Sequence, residues 1–585
     1  MEENSAAKDG GKEYGMDKNN MRHMGEISME GSALSKLNED TQDFEASQER
    51  TLLKILQDNQ DTVYGRRYGF AGIRSAKEYR KKVPVTVYSD YEELIRRMLA
   101  GEKQVTSAYP LRYCVVSSGT TGKNKYIPVA DTGISLYERY VFQCAGDVIC
   151  EYYQKNGRKL SKEELTARVF RLNEVRCGRL ENGCKTLMMS NAVYQRRLEE
   201  GTFDFHTFTS PEQVLFPQYE MDMNYLKLRY ALADKQVTGI EGVYVHQVLN
   251  ILHYLEQNWE RLTQDIADGI IHKDIQVPQE VRSQLEPGLV PMPERAAKLR
   301  EEFERGFDTP VVPRIWKNIR YVMAVSGDVF DAYMKKLRRY IGTTPYHYLL
   351  YGASEGIFAA AAGIDYPGQY IFAPELGYCE FLPEGTENPR DVCGVQNLEI
   401  GKRYELIHTG YAGLYRHRMG DVLEVTGFYN SAPMVKFCYR RAQEVNLAGE
   451  KMDQETLSHA VRDFAAAYGM EIENFCVYPD TDKIPAEYVL LLESPQAGHA
   501  DMPGLEAAET MDRLLRKHNI DYDDCRRLKE IGPSSVYFLK NGTTKLHMEY
   551  LRKRGMDVSQ YKPVRVIDTP EKKAFFFGNI LDGRS

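Results

Sequence analysis

The 585 residues carry 42% hydrophobic and 27% charged side chains, a mixture that supports more than one folded core and excludes a disordered chain. A net charge of −8 and a pI near 6.0 leave no global basic field to collect nucleic acid, so any polyanionic ligand must be held by local positive groups. The ten cysteines form neither Cys-x-x-Cys nor a zinc-spaced Cys/His arrangement, and they read as mostly buried thiols of a reducing compartment.

In chain order, Met1 to Asp40 is rich in Glu, Lys, Asn, Ser and Gly and lacks the apolar core of a signal peptide. Residues 1–42 are therefore expected to be a flexible arm, and with no apolar run of membrane-spanning length the location is expected to be cytoplasmic. Phe44, Leu52, Leu53, Ile55 and Leu56 predict a helix over Asp43 to Gln57 that opens the globular part, and Tyr88 to Leu99 reads as another. The strand Cys114 to Val116 then leads into Ser117-Ser118-Gly119-Thr120-Thr121-Gly122-Lys123-Asn124-Lys125, and a second strand follows from Tyr126 to Val129. Hydroxyls and glycine amides can converge on one anion, while lysine adds a compact positive charge, so this segment suits a triphosphate. It departs from the P-loop of kinases and GTPases, because two residues separate its glycines and Asn124 follows Lys123. A polar turn between two strands is the plainer alternative.

Helical spacing continues over Thr132 to Tyr153 and over Val243 to Gly269, where Val245, Leu249, Leu252 and Leu255 form a core-type stripe. Ile319 to Val325 reads as a buried strand, and the mixed order predicts an α/β fold with parallel strands. Lys155 to Thr186 and Asp274 to Pro293 show no assignable period. The run Tyr346 to Leu350 leads into Tyr351-Gly352-Ala353-Ser354-Glu355, where a buried strand is expected to end. Gly352 permits close approach to a flat ring, Ser354 offers a hydroxyl, and Glu355 is either an oxygen ligand for magnesium or a carboxylate at a helix start. Asp421, after Gly420, is either a ribose acceptor or part of a hairpin turn, and as a turn carboxylate it would add little to the core. Phe203, Phe205, Phe208, Phe216 and Tyr219 read as core, and His347, His408 and His417 as structural residues.

The three segments, in this order, resemble the adenylate-forming superfamily of acyl-CoA synthetases, adenylation domains and luciferases. Four features are more specific: the Ser-Ser-Gly-Thr form of the loop, Gly413-Leu414-Tyr415-Arg416-x-Arg418-x-Gly420-Asp421-Val422, Asn258-Trp259-Glu260 before Asp265-Ile266, and Gln560-Tyr561-Lys562-Pro563-Val564-Arg565. They resemble the Gretchen Hagen (auxin-responsive) acyl-acid amido synthetases from about Asp43 to the C-terminus.

The resemblance implies a large α/β adenylate-forming N-terminal domain with mixed sheets and helices over 43–439, and a small α+β C-terminal lid domain over 440–585. It implies ATP and magnesium, with Ser117, Ser118, Gly119, Thr120, Thr121 and Lys125 on the phosphates and Tyr351, Gly352, Ala353 and Ser354 beside the nucleotide. Glu355 falls to the metal, Asp421 to the ribose and Arg440 to the hinge, although Ala442 stands where the superfamily's hinge Asp is expected. For the catalytic lysine there are two candidates, Lys545 and Lys562, and the C-terminal motif favours Lys562. The implied activity joins a small carboxylic acid to an amine, an amino acid in the first instance, with AMP and pyrophosphate released. Thioester formation with coenzyme A on the same scaffold is the alternative, and neither nucleic acid nor membrane is an expected partner.

Overall fold

The computed structural model describes residues 32–118, 124–326, 331–441, 445–496, 505–554 and 563–581. Two large sheets form the N-terminal domain. One is parallel throughout, in the order β3 (Val169–Arg171), β6 (Gly239–Tyr244), β7 (Tyr321–Val325), β8 (Tyr346–His347). Its connections pass through helices, among them Val245–Asp268 and Asp331–Ile341, as crossovers between parallel strands require. The strands come very close: a Cβ added at Gly239 would lie 2.2 Å from the Tyr321 ring, so only glycine fits there.

The second sheet has seven strands and is antiparallel. Its order is β12 (Tyr378–Pro383), β13 (Arg403–Thr409), β14 (His417–Tyr429), β15 (Ala432–Arg440), β11 (Gln369–Phe372), β10 (Gly356–Ala361), β9 (Leu350–Ala353). The parallel expectation therefore holds for the first of these two sheets and not for the second. Tight links such as Ser354–Glu355 and Asn430–Ser431 are too short for a crossover, and Asn430 takes the left-handed φ of 52° that its turn needs.

A third sheet, also of four strands, pairs β1 (Leu111–Ser118) antiparallel with β2 (Asn124–Ala130), and β1 runs parallel to β5 (Lys185–Thr186), which pairs with β4 (Gly178–Arg179). After β15 comes an α+β unit. Its strands β16 (Asn474–Asp480), β17 (Glu487–Glu493) and β18 (Ser535–Leu539) are accompanied by helices Gln454–Tyr468, Leu505–His518, Ile520–Arg527 and Thr543–Lys553.

One expectation changes at the N-terminal end. Residues 33–40, counted with the arm, form a helix, Ala33–Asp40, capped by Ser32, whose hydroxyl accepts the Ser35 N–H. Leu37 is fully buried and the Leu34 N–H donates to Asp147 at 3.1 Å, so two anchors hold a segment whose composition is polar. Phe203, Phe205, Phe208 and Phe216 pack with Val169 and Tyr194 into a satellite core, as read from the sequence, but Tyr219, read as core with them, is 42% exposed and its hydroxyl donates to Glu280. Among the described residues no helix is long and apolar enough to cross a membrane.

Candidate functional site

The fold brings the three sequence segments to one place through two strand ends and a hairpin. β1 ends with Ser117 and Ser118, opposite Lys125 and Asn124 of β2, so the loop between them leaves the sheet beside Lys125. Gly119, Thr120 and Thr121 lie outside the described residues, as does Lys562. Lys125 Nζ sits 5.3 Å from the centre of the Tyr88 ring, and burial pulls its pKa down while Glu355 acts in the opposite sense.

Tyr351, Gly352 and Ala353 belong to β9, and Ser354 and Glu355 make the turn into β10. Glu355 is thus a hairpin-turn residue, which overturns the helix-start alternative; the chain reverses too sharply here for a helix to begin. A Cβ at Gly352 would approach Leu350 Cδ1 to 2.8 Å, Ile357 Cγ2 to 3.0 Å and the Gly356 carbonyl oxygen to 3.1 Å, so the hairpin packs tightly around this glycine.

The hairpin-turn reading of Gly420-Asp421 also falls, because both residues lie within β14, where Asp421 faces Arg440 of β15. Gly420 has a φ of 75° inside the strand, and a register shift follows between Val422 and Leu423. Asp421 is buried: Oδ2 accepts from the Tyr351 hydroxyl at 2.8 Å and Oδ1 from Arg440 Nε at 2.6 Å. It is therefore also a structural linchpin between β9, β14 and β15 rather than a loose turn carboxylate.

Arg440 reaches past Asp421 to Glu355, with Nη2 4.0 Å from Oε2. Burial alone would raise the Glu355 pKa, but the surrounding basic groups, Arg440 first and then His417, Lys451 and Lys125, hold it down at about 2. Among the described residues, Glu355 Oε2 and Arg440 Nη2 have no hydrogen-bond partner although both are buried. Buried charged atoms in native proteins generally find partners, so this pair keeps hydrogen-bonding capacity for a polar ligand. His417, beside them in β14, is kept neutral by burial, with a pKa pushed down to about 4, and His408 and His347 are depressed to about 3 and about 4.

Lys451 is a member of this charge cluster that sequence reasoning missed. It follows Gly449 and Glu450 in an irregular segment after β15 and has a φ of 52°. Gly449 sets the approach: its φ is 102° and a Cβ there would lie 2.9 Å from the Tyr244 ring. The only sequence signal was a lysine in a Gly-containing loop, too common to single out. Lys545, the disfavoured lysine, is exposed on helix Thr543–Lys553.

Comparison with known proteins agrees along nearly the whole chain. The GH3 family N-terminal domain matches residues 33–346, the GH3 family central domain 370–440 and the GH3 family C-terminal domain 455–571. A jasmonoyl–L-amino acid synthetase of Oryza sativa subsp. japonica is 29% identical, covering 91% of this chain and 94% of its own. An indole-3-acetic acid-amido synthetase of Arabidopsis thaliana is 28% identical, over 92% and 91%. Among solved structures, an acyl acid amido synthetase in complex with 2,4-DB shares the fold with a TM-score of 0.62, at 23% identity over 94% of this chain and 96% of its own. A 2-hydroxyisobutyryl-CoA ligase shares it at a TM-score of 0.50 and 11% identity, over 92% and 94%.

Proposed function

The chain belongs to the GH3 family, and from that premise we propose that it is an ATP-dependent ligase that activates a small carboxylic acid as its acyl-adenylate and transfers the acyl group to an amine, an amino acid in the first instance. The observation that carries the reading is the buried Glu355–Arg440 pair, with unpartnered atoms, next to Asp421 and Lys125. In this reading the acid's carboxylate oxygen attacks the α-phosphorus, pyrophosphate leaves, the amine attacks the activated carbonyl, and AMP departs.

The residues divide this work by their chemistry. Ser117, Ser118, Gly119, Thr120, Thr121 and Lys125 are proposed to hold the phosphates, Gly352, Ala353 and Ser354 to border the nucleotide, and Asp421, positioned by Tyr351 and Arg440, to accept from the ribose. Magnesium would be held at Glu355, whose Oε2 is buried and without a hydrogen-bond partner among the described residues, since this ion typically uses one or two carboxylates plus phosphate oxygens and water. When bound, it would neutralise charge on the leaving phosphates. Lys451 and Lys562 are proposed to bring further positive charge from residues after Arg440, the proposed domain boundary, and closure of that part would protect the adenylate from water.

The test is a screen of carboxylic acids for ATP-dependent pyrophosphate release, with amino acids and coenzyme A as acceptors. Acid-dependent release with an amide product is expected. Coenzyme A outperforming every amino acid would overturn the amide reading, and no release with any acid would overturn adenylation.

A further inference from the structure

Away from the charge cluster, polar groups concentrate where Leu528, Lys529 and Glu530 meet the N-terminal end of helix Val245–Asp268. Glu530 accepts from Gln247 Nε2 with one carboxylate oxygen and lies 3.3 Å from His246 Nε2 with the other. Asn250 Nδ2 donates to the Glu530 carbonyl at 3.1 Å. Gln247 Oε1 meanwhile accepts the N–H groups of Val243 and Tyr244 at 2.8 and 3.1 Å, so one side chain caps the helix and carries the docking bond. The first turn of this 24-residue helix holds partial positive charge, which favours a carboxylate there.

Flanking pairs cross the same boundary: Lys529 with Asp222 at 3.2 Å and Arg527 with Glu220 at 3.6 Å. Glu530 also walls a cavity of about 30 Å³ together with Glu174, Lys227 and Asn250, wide enough for water. Just before this segment, helix Ile520–Arg527 packs against β1, the strand that delivers Ser117 and Ser118.

We propose that Glu530 is a positioning residue: its carboxylate, docked through Gln247 on the N-terminus of helix Val245–Asp268, sets helix Ile520–Arg527 against β1 and so holds the C-terminal part over the phosphate end of the site. The dock is polar and centres on the Glu530 carboxylate with Gln247 and His246, which suits a contact that forms and releases rather than a permanent core. Its catalytic consequence rests on the ligase reading above, but the dock itself does not.

Hydrogen exchange of the full chain, without substrates, tests it. Gln247→Glu keeps the oxygen that caps Val243 and Tyr244 but turns a carboxylate toward Glu530. Exchange in helix Ile520–Arg527 should then rise roughly tenfold, the scale of losing a hydrogen bond to a charged group, while helix Gln454–Tyr468 in the same domain stays as protected as before. Glu530→Gln should act in the same direction. The double variant should restore protection, because carboxylate and amide then trade acceptor and donor roles across the contact. Unchanged exchange in Ile520–Arg527, equal loosening of both helices, or no restoration in the double variant would overturn the proposal. Failure of the ligase reading would leave this exchange pattern untouched, so the two fail separately.

Discussion

At the scale of single residues, Asp421 shows how a carboxylate proposed to take the ribose also serves as a structural contact. Its two oxygens are engaged by Tyr351 and Arg440, and its side chain is 4% exposed against 15% for Arg440. Asp421→Ala would leave a buried guanidinium without its nearest anion, and breaking one side of such a pair costs about 3–5 kcal/mol. Asp421→Asn keeps an acceptor for one of the two donors and should cost less. Urea unfolding of the two variants checks this: a midpoint for Asp421→Ala equal to that of the unaltered protein would mean that the bridge contributes nothing. The structural role was illegible in the sequence. The Gly420-Asp421 pair has the composition of a turn, and only the pairing of β14 with β15 places Arg440 opposite it.

At the scale of elements, legibility followed length and period. Helix Val245–Asp268 lies within two residues of its expected limits, because it repeats apolar residues over several turns. β3, β4 and β5 have two or three residues each and carry no period at all, so Lys155 to Thr186 could not be parsed. Helix Ala33–Asp40 was missed for a different reason. Its eight residues offer Leu34 and Leu37 as the main apolar contacts within a polar stretch, and what fixes it is distant in sequence, at Asp147. Leu37 is 0% exposed, so Leu37→Ala should destabilise the N-terminal domain by about 2–5 kcal/mol, the range for deleting a buried leucine side chain. A calorimetric or denaturant midpoint within error of the unaltered protein would return this segment to the status of an arm.

At the scale of the whole molecule, the site gathers charge that the overall composition hides. The chain is net −8, yet Lys125, Arg440 and Lys451 converge on Glu355, and the depressed Glu355 pKa of about 2 records their combined field. Such a field costs stability in the ligand-free protein through mutual repulsion among the cations, seen in the lowering of the Lys125 pKa by Arg440 and Lys451 after the larger effect of burial. A polyanion relieves it. ATP with magnesium should therefore raise the melting temperature, since a ligand at a hundredfold excess over its dissociation constant adds roughly 2.7 kcal/mol to unfolding. Magnesium alone should shift it little, because Glu355 is a single carboxylate already surrounded by cations. Because Lys125 and Glu355 lie before Arg440 and Lys451 after it, the stabilisation should appear in both parts of the chain, raising one cooperative transition or both of two. Scanning calorimetry at millimolar ATP, with and without magnesium, decides it: no shift with the complete pair, or an equal shift with magnesium alone, would remove the nucleotide from this cluster.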